Sequence, residues 1–248
     1  MIQNIIKGIK AYFGAFQLIS KLKLWRYFTI PIIISLLTAL IVASLAYSLS
    51  DNIGHYFANF WKWEFGKETF EILSTFLSGL LIIVIGLVLY KHIVMALSAP
   101  FMSPVSEKIE NYIKGESHQH RNTSFQEQLI RGVRINVRNL IREILLTILI
   151  ILFGFIPIIG VLSTILLFLV QAYYAGFGNM DYTLERHFRY KESILFVKKN
   201  KGLAIGNGIV FMLFLLIPVI GVLLVLPLSV TAATKETIKK IQQKELLE

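Results

Sequence analysis

Four long stretches of this chain carry no charged side chain, and they set what it can fold into. Residues 27–50, 72–90, 144–180 and 202–234 hold 24, 19, 37 and 33 residues without Asp, Glu, Lys or Arg. A helix needs about 20 apolar residues to cross a ~30 Å hydrocarbon core. In water such runs would have no polar face to turn outward. The whole chain is 55% hydrophobic and only 16% charged, against roughly 25% charge in a soluble domain. These figures exclude a disordered chain and predict an all-α integral membrane protein, one membrane domain over residues 1–248. Cysteine is absent, which removes disulfides, thiolate metal sites and cysteine nucleophiles.

Residues 27–50 and 72–90 read as two long transmembrane helices. Pro31 falls in the first turns of the first, where a missing N–H costs little. Before it, residues 1–20 place Ile2, Ile5, Ile6, Ile9, Tyr12, Phe13, Phe16 and Ile19 three or four apart. That spacing predicts one amphipathic helix, either in a core or lying in the membrane interface, with the interface favoured by the span that follows. Between the spans, residues 51–71 are short and aromatic. Trp61 and Trp63 there, and Trp25 at the opposite end, sit next to span ends, as amphipathic rings at headgroup level do.

Residues 99–143 form the main polar insert. Ser103-Pro104 reads as a helix start, with Gly115 as its end. Residues 115–124 (GESHQHRNTS) read as a loop. Ser124 and Glu127 form an S-x-x-E capping box that opens a second helix. Phe125, Leu129, Val133, Val137, Leu140 and Ile144 make its apolar side, and Arg131, Arg134, Arg138 and Arg142 share its other face. Three readings of that arginine face stay open: a solvated face near anionic headgroups, an attractor at a pore mouth, or a nucleic-acid surface, the last weak beside so much membrane sequence.

The two later stretches are each broken by nearly the same string. Ile156-Pro157-Ile158-Ile159-Gly160-Val161-Leu162 returns as Ile217-Pro218-Val219-Ile220-Gly221-Val222-Leu223. Each predicts a helix, a tight turn and a helix, over 144–180 and 202–234. In the second, legs of about 22 and 20 Å fall short of the core thickness, and the turn has no polar residue. Both features predict a hemi-penetrating hairpin. The leg after Gly160 is longer, so the first stretch is either a hairpin or a full crossing. Pro157 and Pro218 free the carbonyls of Phe153 and Phe214. Such groups at membrane depth must be buried in protein or line a cavity.

Lys and Arg set orientation. They crowd residues 1–26, 91–143, 181–201 and 235–248, while 51–71 holds only Lys62 and Lys67. Both termini and both long polar segments, including the tail 235–248, are therefore expected in the cytoplasm. The excess of 25 basic over 15 acidic residues is read as that bias, and no nucleic-acid partner is expected.

Catalytic patterns are missing, so no enzyme activity and no cofactor are expected. His118 and His120 have no carboxylate at ligand spacing and read as surface loop, not a metal site. Gly202, Gly206 and Gly208 follow no strand; close helix packing fits them better than phosphate binding. Asp181 is either an intramembrane functional carboxylate or an interfacial helix cap.

The order of these features resembles the CysZ family of sulfate permeases, related to the etoposide-induced membrane proteins. The residues that carry the resemblance run over nearly the whole chain. They are Leu24-Trp25-Arg26 with Pro31, Ala99-Pro100-Phe101 with Glu107 and Glu110, Ile156-Pro157 with Gly160, Asp181-Tyr182, and Ile217-Pro218 followed by Pro227. The resemblance implies two spanning helices plus two hemi-penetrating hairpins, oligomeric assembly, and uptake of sulfate for cysteine synthesis across the cytoplasmic membrane. The family's glycine-hydrophobic-arginine motif, which contacts sulfate, aligns with Lys23, Leu24 and Trp25. Its glycine and first arginine are absent here, and Arg26 matches the next basic residue. Arg26 is the foremost expected anion contact, with Lys23 beside it at a helix start whose dipole favours negative charge. Glu107 and Glu110 are expected to hold structure by pairing with basic residues of the insert. The rival expectation is a non-transporting membrane scaffold.

Overall fold

The computed structural model describes residues 1–58, 66–115, 123–154, 157–217 and 219–245. Trp61, Trp63, His118, His120 and Pro218 lie outside these residues. Nine helices and no strand occur among the described residues: α1 (Ile2–Lys10), α2 (Ala15–Lys21), α3 (Trp25–Ala58), α4 (Lys67–Lys114), α5 (Phe125–Gly154), α6 (Pro157–His187), α7 (Tyr190–Lys199), α8 (Lys201–Leu215) and α9 (Ile220–Glu245). Trp25–Leu49, Ile85–Lys114 and Gly160–His187 are long and apolar enough to cross a membrane, whereas α8 is shorter. The chain is an all-α membrane protein.

Both breaks fall at the repeated Ile-Pro strings. Pro157 opens α6 at its first position, where its missing N–H is no loss. At the second break the Phe214 carbonyl is not left open, as expected from Pro218, because the Ile217 N–H donates to it at 2.9 Å. Gly221 then passes so close to that carbonyl that a Cβ would collide with it.

The amphipathic helix expected over 2–20 is two helices. Gly14, at φ +81°, turns the chain between α1 and α2. α2 closes with a Schellman cap: the Leu24 N–H donates to the Ile19 carbonyl at 2.9 Å and the Lys23 N–H to the Ser20 carbonyl at 3.1 Å. Lys23 takes the left-handed position of that cap, at φ +52°, which ordinarily goes to glycine.

Ser103-Pro104 is not a helix start, because α4 runs through Pro100 and Pro104 without a break. Burial overrides the local signal. Ala99, Met102, Val105 and Ile109 sit at 0–1% exposure in the main apolar core. The Ser103 carbonyl accepts from the Ser106 hydroxyl and from Arg186.

α5 is turned inside out relative to a soluble helix. Gly132, Ile135, Asn136, Asn139 and Glu143 face inward. The expected apolar side, including Phe125, Val133, Val137 and Ile144, is exposed. α8 is gripped from two sides through glycines. A Cβ on Gly206 would strike the Ile5 carbonyl of α1, and one on Gly208 would strike the Ala172 carbonyl of α6. Close packing is thus the use of these glycines.

Candidate functional site

Two groups of charged side chains bear on the expected site. The first lies in the interior. Lys91 and His92 end the apolar run of α4, and Glu143 ends the polar part of α5. All three are 0–3% exposed. Lys91 Nζ donates to Glu143 Oε1 at 2.6 Å and approaches the Gln171 carbonyl at 3.4 Å. The other carboxylate oxygen meets His92 Nε2 at 3.0 Å, and His92 Nδ1 faces Asn136 Oδ1 at 3.4 Å. A lone buried ammonium or carboxylate would be prohibitive among apolar helices, so each is matched.

A second buried cluster closes α4 against α6. Glu110, fully buried, meets Arg186 at 3.1 Å, Lys114 at 2.9 Å and His187 at 2.9 Å. Lys114 belongs to the insert, as expected for a Glu110 partner; Glu107 is exposed. A third pair joins α5 to α6. Arg131 donates to both oxygens of Asp181, at 3.1 and 3.0 Å, and also to the Phe188 carbonyl and the Ser193 hydroxyl. Asp181 is therefore an ion-pair partner inside α6, not a helix cap. Burial alone would lower the Arg131 pKa; the facing Asp181 carboxylate outweighs it and holds that pKa above the ordinary value.

Beside this pair lies a polar pocket of about 250 Å³, lined by Arg131, Arg134, Glu185 and Arg189 among others. Glu185 is 2% exposed, and its Oε1 has no hydrogen-bond partner among the described residues. Further in, Asn207 joins three helices. Its amide donates to the Ser229 carbonyl, its Oδ1 accepts from Asn179, and its carbonyl accepts from the Tyr12 hydroxyl.

The second group lies at the exposed start of α3. Leu24 is completely buried. Trp25 packs edge-on against Phe16 and Phe28, and its indole N–H donates to the Ser20 hydroxyl at 3.2 Å. Neither offers a side chain to an anion, and the Leu24 N–H is already given to the Ile19 carbonyl. Lys23 and Arg26 are exposed. Arg26 donates to the Tyr27 hydroxyl at 3.1 Å and lies 5.0 Å from that ring. Lys108 reaches the same ring from α4 at 5.5 Å. No carboxylate pairs with Arg26 or Lys23 among the described residues.

The structure separates the expected site residues. Lys23 and Arg26 share one exposed corner with Lys108. Arg131, Asp181 and Glu110 belong to buried pairs. Arg134 and Arg138 lie on the outer flank of α5, over the rings of Tyr190 and Phe177. Gly160 and Gly221, expected in the turns, lie in the first turns of α6 and α9, close against the Gly154 and Phe214 carbonyls. The sequence reading missed Lys91, His92, Glu143, Glu185, Arg186 and Asn207. Lys91-His92 and Glu143 mark the ends of charge-free runs, which was the available signal.

Compared with known proteins, residues 11–226 match the family described as sulfate transporter CysZ/etoposide-induced protein 2.4. No curated protein matches the chain.

Proposed function

Because the chain belongs to the sulfate transporter CysZ/etoposide-induced protein 2.4 family, we propose that it is a permease or channel for a small inorganic anion, sulfate foremost. The observation that carries this reading is Arg26. It stands in the first turn of the first long apolar helix, exposed, with only the neighbouring tyrosine as a described partner. An anion arriving there meets a guanidinium, the ammonium groups of Lys23 and Lys108, and a helix N-terminus. The dipole adds about 0.3–1 kcal/mol at an exposed site. Guanidinium suits a tetrahedral oxyanion because two parallel N–H groups fit two of its oxygens.

The scaffold reading requires a dry apolar centre. Buried Lys91, His92 and Glu143 count against it, since ionisable groups at membrane depth are costly and are kept for function. On this proposal they, with the Arg131–Asp181 and Glu110–Arg186 pairs, line or brace the route.

Orientation follows from Lys and Arg: both termini in the cytoplasm, the segment 51–71 outside, in a cytoplasmic membrane. α8, at ~22 Å, enters without crossing. Leu216, Ile217 and Val219 at its turn are 66%, 45% and 67% exposed in the single chain, so the cover such a turn needs comes from a second copy. Uptake of labelled sulfate into liposomes carrying the purified protein tests the function. Accumulation above protein-free liposomes is expected; its absence, with the protein folded, would refute sulfate transport.

A further inference from the structure

The outward face of α5 is an apolar stripe flanked by arginines. Ile130, Val133, Val137 and Ile141 are 67%, 39%, 48% and 54% exposed and floor an open groove of about 680 Å³, walled by Arg134, Arg138 and Tyr190. The apolar stripe does not stop there. It continues through Ile144, Ile148 and Leu152, all exposed, onto the part of α5 inside a charge-free run. One flank of the stripe carries Arg134, Arg138 and Arg142, each one turn apart. None of the three pairs with a carboxylate among the described residues. Two of them are pinned. The Arg134 guanidinium lies 4.1 Å from the Tyr190 ring centre and Arg138 lies 5.2 Å from Phe177, while Arg138 also donates to Asn139 Oδ1 at 2.7 Å. A guanidinium stacked on a ring keeps most of its edge N–H groups for a further acceptor.

We infer that this groove holds an anionic phospholipid, with its phosphate on Arg134 and Arg138 and an acyl chain along Ile130, Val133 and Val137. The chemistry selects the occupant. An apolar floor continuous with the bilayer-facing surface suits hydrocarbon. A row of cations without counter-charges suits a phosphodiester. A second copy meeting this face about a two-fold axis would bring its own three arginines against these, with no carboxylate in the lining to offset them. The inference does not depend on which anion, if any, the protein transports.

The test uses the full-length protein in detergent, titrated with phosphatidylglycerol or phosphatidylcholine. The expected result is at least tenfold tighter binding of phosphatidylglycerol by native mass spectrometry, and a higher unfolding midpoint in its presence. Both should be lost in the double variant Arg134→Ala/Arg138→Ala. Arg138 also holds the buried Asn139, so the unfolding midpoint in phosphatidylcholine serves as the folding control, and Arg134→Ala alone, whose ring partner Tyr190 is only half-buried, should lose part of the preference in a folded protein. The Arg134→Lys/Arg138→Lys variant should retain part of the preference. Equal binding of the two lipids, or an unchanged preference in the alanine variant, would overturn the inference. So would the same stabilisation by inorganic phosphate, which would mean a free-anion site. Efficient disulfide cross-linking of Val137→Cys between two copies would assign the face to a partner chain and overturn it as well.

Discussion

The interior charges and the charges at the start of α3 obey opposite rules. Lys91 and Glu110 are completely buried, and each is held by one or more opposite charges. Arg26 and Lys23 are exposed, and no described carboxylate answers them. Removing one member of a buried pair strands the other in a low-dielectric interior. Removing an exposed cation strands nothing. The buried groups therefore govern whether the bundle holds together, and the exposed groups are free to act on something arriving from water.

The largest effect that would break this contrast lies at Glu143. Glu143→Ala leaves the Lys91 ammonium and His92 without their acceptor, and breaking a buried pair costs about 3–5 kcal/mol. The double variant Lys91→Met/Glu143→Leu should recover much of that loss. Thermal unfolding in detergent measures both; equal stability of Glu143→Ala and the native chain would erase the distinction. Next comes Gly208→Ala. Its Cβ would strike the Ala172 carbonyl, and forcing α6 and α8 apart should cost about 1–3 kcal/mol in the same assay. The smallest effect runs in the other direction. Lys23 occupies a left-handed position, so Lys23→Gly should stabilise α2's end by about 0.5–1 kcal/mol, the left-handed strain of about 1–2 kcal/mol less the about 0.5–1 kcal/mol of added glycine flexibility, while removing a cation from the exposed corner. A raised unfolding midpoint with weakened sulfate binding would sharpen the comparison, because it separates the conformational role of this position from its charge.

The charge-free runs made the helices legible, and the paired Ile-Pro strings made the breaks legible. The facing of α5 was not. A 3.6-residue period reveals two faces without saying which one is buried, and here Val133 and Val137 lie on the exposed one. Pro104 misled for a related reason: proline marks a helix start only where tertiary burial does not decide the matter. The buried pairs escaped because Lys91 and Glu143 are 52 residues apart, and each alone looks like the polar end of a span. At the exposed corner, Arg26 could be singled out in advance because its exposure follows from local position at a helix start. The family resemblance sets Lys23 against a glycine, and the left-handed Schellman position that Lys23 takes here is one that glycine ordinarily fills.

Exposed Arg26, which no described carboxylate answers, is the proposed anion contact. Calorimetric titration of sulfate into the native protein and into Arg26→Ala, both reconstituted in nanodiscs, tests it directly. A hydrogen bond to a charged group is worth about 1.5–3 kcal/mol, and about 1.4 kcal/mol is tenfold in affinity. Affinity should therefore fall by roughly ten- to a hundredfold, with the unfolding midpoint nearly unchanged. Sulfate bound equally well by the folded variant would contradict the account.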